Sequence, residues 1–521
     1  MRERAGISMI ELPSVRLSEL VQDLAGVSLS GEPTTAISSL SYNSAQVEPG
    51  ALFFCVPGLK RDGHDFAGDA VERGAVALVV QHRLPLEVPQ VLAADTRRAM
   101  GPIAARFFSR PSRGLLLAGI TGTNGKTTSA YLAAWLLEAS GLRTGLIGTV
   151  ERRVGGVSRR DVDRTTPEAL DLQRDLAGMV AAGDRAAVME VSSHALELSR
   201  ADDLVFAAVA FTNLTQDHLD FHGNLDAYYR AKARLFLDPV FADREPPAVI
   251  NMDDPVGRRI ARQVAPHRLL TFRVADGRAG AVEPADLELQ GLKVTPAGIE
   301  GLLRVAGRAA DRVHASVSRE LHIPLLGRFN ASNVLTALGL GLALGLDLDL
   351  MVEAVADFPG VPGRMQQVDA GQPFTVLVDY AHTPDSVENV LSTARDVCPG
   401  RVIALLGCGG DRDRTKRPRM GRALEEGADV AVVTSDNPRT EQPTAIIAEV
   451  LAGLEQPEKA LVDADRRQAM RTALRQAAPG DIVLILGKGH ESGQEINGRK
   501  IAFDDFTVAC ELLREQGWRA T

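Results

Sequence analysis

The stretch at residues 115–140, LLLAGITGTNGKTTSAYLAAWLLEAS, constrains the fold more than any other part of the chain. A continuously apolar run meets a glycine-rich turn, then Lys-Thr-Thr, then a second long apolar run. The first run suits a strand buried on both faces of a parallel sheet. The second is apolar nearly all round and reads as a buried helix. In the turn, Gly122, Thr123, Asn124 and Gly125 can point backbone N–H groups onto an anion, and the helix start adds its dipole. Lys126 offers a positive charge to the β and γ phosphates of a nucleotide, and the Thr127 hydroxyl, next to Thr128, offers a ligand for Mg2+. The strict phosphate-loop spacing would place a glycine at Ile120, so the loop is a variant with Gly119 and Gly122 flanking that position. A GTPase, a kinase or a ligase would be equally well served.

The same strand-to-loop pattern recurs. RAAVMEV and VFAAVAFTNL follow in the middle of the chain. FTVLVDYAH, RVIALLGCGGD, DVAVVTSDNPR and DIVLILGKGHE follow later, each running from an apolar strand into a polar or glycine-rich end. Ligands of open α/β sheets bind outside the carboxyl ends of the strands, so these polar ends should gather around a site. FSRPSRG (108–114) and DFPGVPGRMQ (357–366) interrupt regular structure and read as joints. The expectation is an α/β chain of three domains: an N-terminal α/β substrate domain (1–112), a central P-loop ATPase-type parallel sheet (113–358) and a C-terminal Rossmann-like domain (359–521).

A net charge of −9 argues against a general nucleic-acid or anionic-membrane surface. No apolar run reaches membrane-spanning length, so no membrane insertion is expected. Cys55, Cys398, Cys408 and Cys510 are scattered without CxxC spacing and read as reduced, buried thiols. The opening MRERAGISMIELPSV lacks the apolar core of a signal peptide. These features suit a cytoplasmic protein, taken here as a monomer.

Three stretches bear on the reaction. Glu190 in MEVSSHAL ends a strand, where a carboxylate can hold Mg2+ opposite a phosphate loop. FTNLTQDHLDFHG carries Asp217, His218, Asp220 and His222, and YYRAKARLF carries Lys232. Taken singly, His218 reads equally as a hydrogen-bonded structural histidine, Lys232 as a solvated helix lysine, and Thr165 and Thr166 as helix caps before Pro167 and Glu168.

TGTNGKTT, MEVSSHAL, TNLTQDHLDFHG, AKARLF, GRFNASNVLTALG, VDYAHTPDS and GDIVLILGKGHE, in this order, together resemble the Mur ligases, ATP-dependent amide-forming enzymes of peptidoglycan synthesis. GCGGDRDRTKRPRMG and SDNPRTEQP are similar to the member that adds the third amino acid. The resemblance implies ATP, a UDP-N-acetylmuramoyl dipeptide and meso-diaminopimelate as substrates, joined through an acyl phosphate. It implies Lys126, Glu190, His218 and Lys232 as catalytic residues. Mg2+ would lie at Thr127 and Glu190, with a second ion at His218 and a CO2-derived carbamate on Lys232. It implies Asn330, Arg364, Asp379 and His382 along the nucleotide, and Ser44, Thr165, Thr166, Ser192 and Arg200 along the muramoyl dipeptide. Arg412, Asp436, Asn437, Pro438, Arg439, Gly487 and Glu491 would form the diaminopimelate pocket, where the Arg439 guanidinium can grip bidentately a distal carboxylate that lysine lacks. The chain departs from the family pattern at Asn43 and Ala45 (Asp and Arg in relatives), at Arg164 (commonly Asn) and at Leu198 (often Gln). A lysine-adding homologue, a folylpolyglutamate synthase-like ligase and a non-catalytic nucleotide-binding module remain alternatives.

Overall fold

The computed structural model describes residues 14–58, 61–159, 164–275, 284–295 and 297–519. Residues 1–13 of the opening MRERAGISMIELPSV and the side chain of Asp220 lie outside the described residues.

Three sheets organise the chain. In the middle one, the strand Leu116–Thr121 lies between Ala186–Glu190 and Ala208–Phe211, parallel to both. Thr144–Ile147 continues the parallel row on one side. Ala248–Asn251, Leu269–Ala275 and Leu287–Thr295 continue it on the other. The register pairs Glu190 with Ile120 and Phe211 with Thr121. Three strand ends therefore stop at one level, beside the glycine-rich turn.

The sheet is not purely parallel, as the sequence suggested. Antiparallel strands extend both edges, Arg152–Val154 and Val157–Arg159 at one and Gly298–Val305 and Val317–Ile323 at the other, giving eleven among the described residues. Val317–Ile323 alternates between half-buried and exposed positions over most of its length. That is the signature of a sheet wetted on one face, which short reversals of the chain permit.

The central parallel strands are sandwiched. Lys126–Ala139 and Phe329–Ala343 pack on one face, where Leu132, Leu136, Leu335 and Leu338 are fully or almost fully buried. Each such leucine contributes about 1.5–3 kcal/mol. Leu172, Leu176, Tyr229 and Phe236 cover the other face.

The C-terminal sheet runs Gln366–Gln367, Thr375–Asp379, Ile482–Leu486, Val402–Cys408, Val430–Ser435, Leu461–Asp463; all neighbours are parallel except the first pair. The N-terminal sheet is built from Val27–Ser30, Gln90–Ala93, Ala75–Val80, Ala51–Phe54 and Ser39–Ser41. Its core includes Leu170 and Ala177 of the helix Ala169–Ala182, so it shares apolar packing with the middle of the chain. All four cysteines are free; Cys55 and Cys408 are buried as expected, whereas Cys398 and Cys510 are half-buried. Among the described residues no helix is long and apolar enough to cross a membrane.

Candidate active site

The turn after Leu116–Thr121 has the geometry of an anion cradle. Gly122 has φ +154°, and a Cβ there would fall 1.8 Å from Thr212 Oγ1. Gly125, at φ +84°, would drive a Cβ to 2.2 Å from Asn333 Oδ1. Neither position accepts another residue without movement. Asn333 also receives a bond from Ser129 Oγ and donates to Asn330 Oδ1, so Asn330 supports the loop helix from behind. Lys126 Nζ donates to the carbonyls of Gly122 (2.9 Å) and Thr123 (2.8 Å).

Glu190 is 1% exposed and accepts three hydrogen bonds at the loop mouth. Thr127 Oγ1 donates to its Oε2 at 3.0 Å, Thr149 Oγ1 at 3.1 Å, and the Thr149 N–H reaches Oε1 at 2.8 Å. The hydroxyl of Thr127 and the carboxylate of Glu190 are hard oxygen donors side by side, a set that fits Mg2+. Among the described residues no three His, Cys, Asp or Glu side chains gather into a cation cage. Mg2+ characteristically takes one or two protein oxygens and completes its shell with phosphates and water.

Lys232 lies on the helix Leu225–Leu237, whose N-cap Asn224 accepts from Ala227 N–H. One turn after Tyr228, its Nζ sits 4.6 Å from that ring's centre and donates to Gly122 O at 2.7 Å. It is 1% exposed, which overturns the solvated-lysine alternative. The amino groups of Lys126 and Lys232 thus converge on one carbonyl oxygen. Burial, and then the neighbouring Lys126, push the Lys232 pKa well below the usual lysine value. Burial likewise lowers that of Lys126. A neutral amine in this place is the form that combines with CO2, so Lys232 fits a carbamate. His218, in the left-handed backbone region at φ 53°, pairs with Asp217 (3.3 Å) and lies edge-on to His194.

Thr166 does not cap a helix. The N-cap of Ala169–Ala182 is Glu168, with no side-chain cap bond. Thr166 Oγ1 instead donates to Glu190 O at 2.8 Å and accepts from Ser192 N–H at 3.0 Å, bracing the strand end. Thr165 shares a hydrogen bond with Thr149. Glu168 gathers Arg97 (2.8 Å), Arg200 (3.2 Å) and Arg164 around one nearly buried carboxylate, giving three cations for one anion. Ser44 lies apart on the turn Ser44–Gln46, capped by Asn43 Oδ1. Tyr42 joins this region to the middle of the chain through Asp171 (2.5 Å).

The C-terminal strand ends face the same space. Arg364 stacks on Tyr380 and reaches Thr127 Oγ1 at 3.5 Å, while Asp385 meets Asn124 at 3.3 Å. Asp379 is buried and accepts from Met365 N–H, fixing the joint. A cavity of about 1250 Å3 lies between the two sheets. Thr165 and His218 line one side; His382, Arg412, Asp436, Asn437, Arg439, Gly487 and Glu491 line the other. The loop 122–128, Glu190 and Lys232 lie off its walls, as do Thr166, Ser192, Arg200, Arg364 and Asp379, together with Ser44 and Asn330. Pro438 fixes the turn that leads into Arg439, whose φ is +52°.

Several working residues were not singled out from the sequence. Lys488, 0% exposed, donates to Gly493 O (2.7 Å), Glu491 Oε2 (3.1 Å) and Asn437 Oδ1 (3.3 Å). Burial raises the Glu491 carboxyl, but Lys488 and Asn437 outweigh it and hold the pKa below the usual value. Arg417, 1% exposed, ties Glu441 and Glu449 to Gly409 O. Arg466 and Asp505, both fully buried in their side chains, pair at 2.7 Å beneath the pocket. Lys488 lies within GKGHE and Arg417 within GCGGDRDRTKRPRMG, but neither stretch marked them individually, and nothing marked Arg466 or Asp505.

Known proteins share this arrangement. Family profiles described as Mur ligase family, catalytic domain, Mur ligase middle domain, and Mur ligase, glutamate ligase domain match residues 36–107, 120–341 and 363–489. The chain is 45% identical over 486 residues to the UDP-N-acetylmuramoyl-L-alanyl-D-glutamate–2,6-diaminopimelate ligase of Thermosynechococcus vestitus, covering 92% of this chain and 94% of that one. It is 41% identical to the protein of the same description from Syntrophomonas wolfei, over 96% of this chain and 99% of that one. A solved structure of an enzyme so described superposes with a TM-score of 0.67 at 32% identity, covering 97% and 99%.

Proposed function

Because the chain belongs to the Mur ligase family, we propose that it adds meso-diaminopimelate to the D-glutamyl side-chain carboxylate of UDP-N-acetylmuramoyl-L-Ala-D-Glu, with ATP cleaved to ADP and phosphate. One observation carries the substrate assignment: a single cavity has the dipeptide-side Thr165 and the metal-side His218 on one wall and Arg439 on the other.

The chemistry is a charge problem. A carboxylate oxygen attacks the γ phosphorus of ATP while both carry negative charge; ADP leaves and an acyl phosphate remains. The amine of the amino acid then attacks the acyl carbon, the tetrahedral centre collapses, phosphate departs and the nitrogen loses a proton. Lys126, exchanging its loop carbonyls for phosphate oxygens, offsets the repulsion and stabilises charge in transit. Thr127 and Glu190 hold Mg2+, which when bound polarises the phosphate oxygens. His218 and a carbamate on Lys232 hold a second ion. Asn330, Arg364, Asp379 and His382 line the nucleotide, whose two ends meet the middle and C-terminal sheets; its binding draws them together and keeps water from the acyl phosphate. Thr165, Thr166, Ser192 and Arg200 take the dipeptide and Ser44 the uridine end. Arg412, Asp436, Asn437, Arg439, Gly487 and Glu491 take the amino acid.

The turn Pro111–Gly114 and the turns around residues 357–366 support domain limits at 1–112, 113–358 and 359–521. A cytoplasmic monomer fits a cavity walled by one chain and fed by ATP. The decisive test is phosphate release with ATP, Mg2+ and the UDP-dipeptide, supplying meso-diaminopimelate or L-lysine, in wild type and Arg439→Ala. Release with diaminopimelate alone, lost in the variant, is expected. Release with lysine regardless of Arg439 favours a lysine-adding enzyme. No release with either returns the folate-type and non-catalytic readings.

A further inference from the structure

The hairpin Gly493–Ile496/Arg499–Ala502, closed by Asn497 and Gly498 at φ 48° and 72°, lies against the turn that carries Arg439. Backbone bonds sew the two together: Arg439 N–H donates to Glu495 O (2.9 Å), and Asn497 N–H to Arg439 O (2.7 Å). Glu495 N–H also donates to Asn437 Oδ1 (2.9 Å). Three bonds thus fix the backbone on either side of one acidic side chain. That side chain, 47% exposed, places Oε2 at 3.2 Å from Arg439 Nε on the cavity wall.

We propose that the Arg439–Glu495 ion pair reads the distal amino-acid centre of the incoming substrate, the guanidinium taking its carboxylate and Glu495 its ammonium. The proposal rests on the amino-acid-adding reading above and names a residue that reading leaves out.

The donor inventory permits it. A guanidinium carries five N–H donors. Glu495 takes the Nε side and Gly410 O takes one Nη1 hydrogen at 2.6 Å. Nη2 and the second Nη1 hydrogen are left for a carboxylate, which an arginine grips end-on through two parallel bonds. Glu491 shares the wall but is tied on one side, its Oε2 receiving both Asn437 Nδ2 (2.6 Å) and Lys488 Nζ (3.1 Å), whereas Glu495 is the carboxylate that touches the Arg439 guanidinium itself. Asp436 is buried and faces Lys488 at 3.9 Å.

The electrostatics then give a two-sided filter. The distal end of diaminopimelate bears a cation and an anion on one carbon, the mirror of the Arg439–Glu495 pair. Laid antiparallel to it, the substrate makes two attractive contacts. Lysine brings only an ammonium, which meets Glu495 but leaves Arg439 without its anion. A substrate with the distal carboxylate and no distal ammonium, such as 2-aminopimelate, satisfies Arg439 but sets its carboxylate against Glu495. A site that pairs charged groups rejects a ligand lacking one of them.

The test compares meso-diaminopimelate with 2-aminopimelate in the phosphate-release assay, using the full-length enzyme and Glu495→Gln. Wild type should prefer diaminopimelate by about tenfold or more in kcat/KM. In Glu495→Gln, KM for diaminopimelate should rise about five- to tenfold while 2-aminopimelate is used no worse, so the preference collapses. KM for ATP and for the UDP-dipeptide should not move, which a general structural lesion would not spare. A fall in KM for diaminopimelate would mean that Glu495 merely blocks Arg439 and overturns the proposal. An unchanged preference overturns it too. A wild-type enzyme that ignores diaminopimelate would bring down the amino-acid-adding reading itself, an outcome separable from the other two.

Discussion

Arg466 and Asp505 offer the sharpest physical prediction. Their side chains are 0% exposed and bonded twice, Nε to Oδ1 at 2.8 Å and Nη2 to Oδ2 at 2.7 Å. The same guanidinium donates to Ser435 O (3.2 Å) and Leu486 O (3.0 Å), the residues just before Asp436 and Gly487. Asp505→Asn removes the counter-charge and leaves a buried cation, at a cost of about 3–5 kcal/mol. With a denaturant slope of about 2–3 kcal/mol/M, the urea midpoint should fall by about 1–2.5 M. Arg466→Met with Asp505→Leu removes both charges, a swap worth up to about 1–4 kcal/mol in favour of the apolar pair. It also strands two carbonyls at about 1–3 kcal/mol each. The double variant should therefore be destabilised less than the single one, yet show a raised KM for diaminopimelate because both pocket strands lose their tether. The chain has two tryptophans. In a Trp135→Phe background, Trp518, packed edge-on to Phe374, reports the C-terminal sheet alone. A midpoint shift below about 0.3 M for Asp505→Asn, or a double variant weaker than the single, would refute the argument.

Glu190→Gln should raise the Mg2+ midpoint for phosphate release at least about tenfold and slow release by about 10²–10³, because Thr127 and Thr149 then face an amide in place of the charge that draws the ion; a Mg2+ titration reads it, and an unmoved midpoint sinks the assignment. Only the neutral amine of Lys232 combines with CO2, and burial and then Lys126 lower its pKa so that this form persists at lower pH than in an ordinary lysine. Stripping CO2 should abolish activity and bicarbonate restore it, with the deficit growing as pH falls and the amine protonates. Lys232→Arg should not respond to bicarbonate, and indifference of the wild type to CO2 across the pH range would refute the carbamate.

What could be read in the sequence followed from burial and polarity along a single segment. The strands Leu116–Thr121, Ala186–Glu190 and Ile482–Leu486 are buried on both faces, so their apolar runs stand out without any partner. After Ile482–Leu486, Gly487 and His490 line the cavity, while Glu190 reaches its wall only through Thr149. What depended on a distant partner could not be read. Gly298–Val305 and Val317–Ile323 are half-wet, so nothing in their composition announced the antiparallel extension. Lys232 was undecidable because its meaning comes from Gly122, 110 positions away. Glu168 entered the sequence reading only as a neighbour of two candidate caps and is the hub of three arginines. Glu495 and Lys488 acquire their partners only when the last hairpin folds against Asn437 and Arg439.

Contacts between distant residues also set how the site holds its charges in place. Arginines or lysines that await anionic substrates would swing freely in water, and ordering such a side chain on binding costs about 0.5–1.5 kcal/mol. Here the cations are already committed: Arg97, Arg164 and Arg200 to Glu168, Arg439 to Glu495 and Gly410 O, and Lys126 to two loop carbonyls. Each placeholder weakens the pull on the substrate, since two unit charges at 4 Å are worth about 4 kcal/mol in a partly screened site and part of that is spent beforehand. In exchange, the direction of every donor is set before the substrate arrives. Acyl transfer between two anions demands that trade, because a carboxylate held near the γ phosphate but misaligned by an ångström gains nothing from attraction alone.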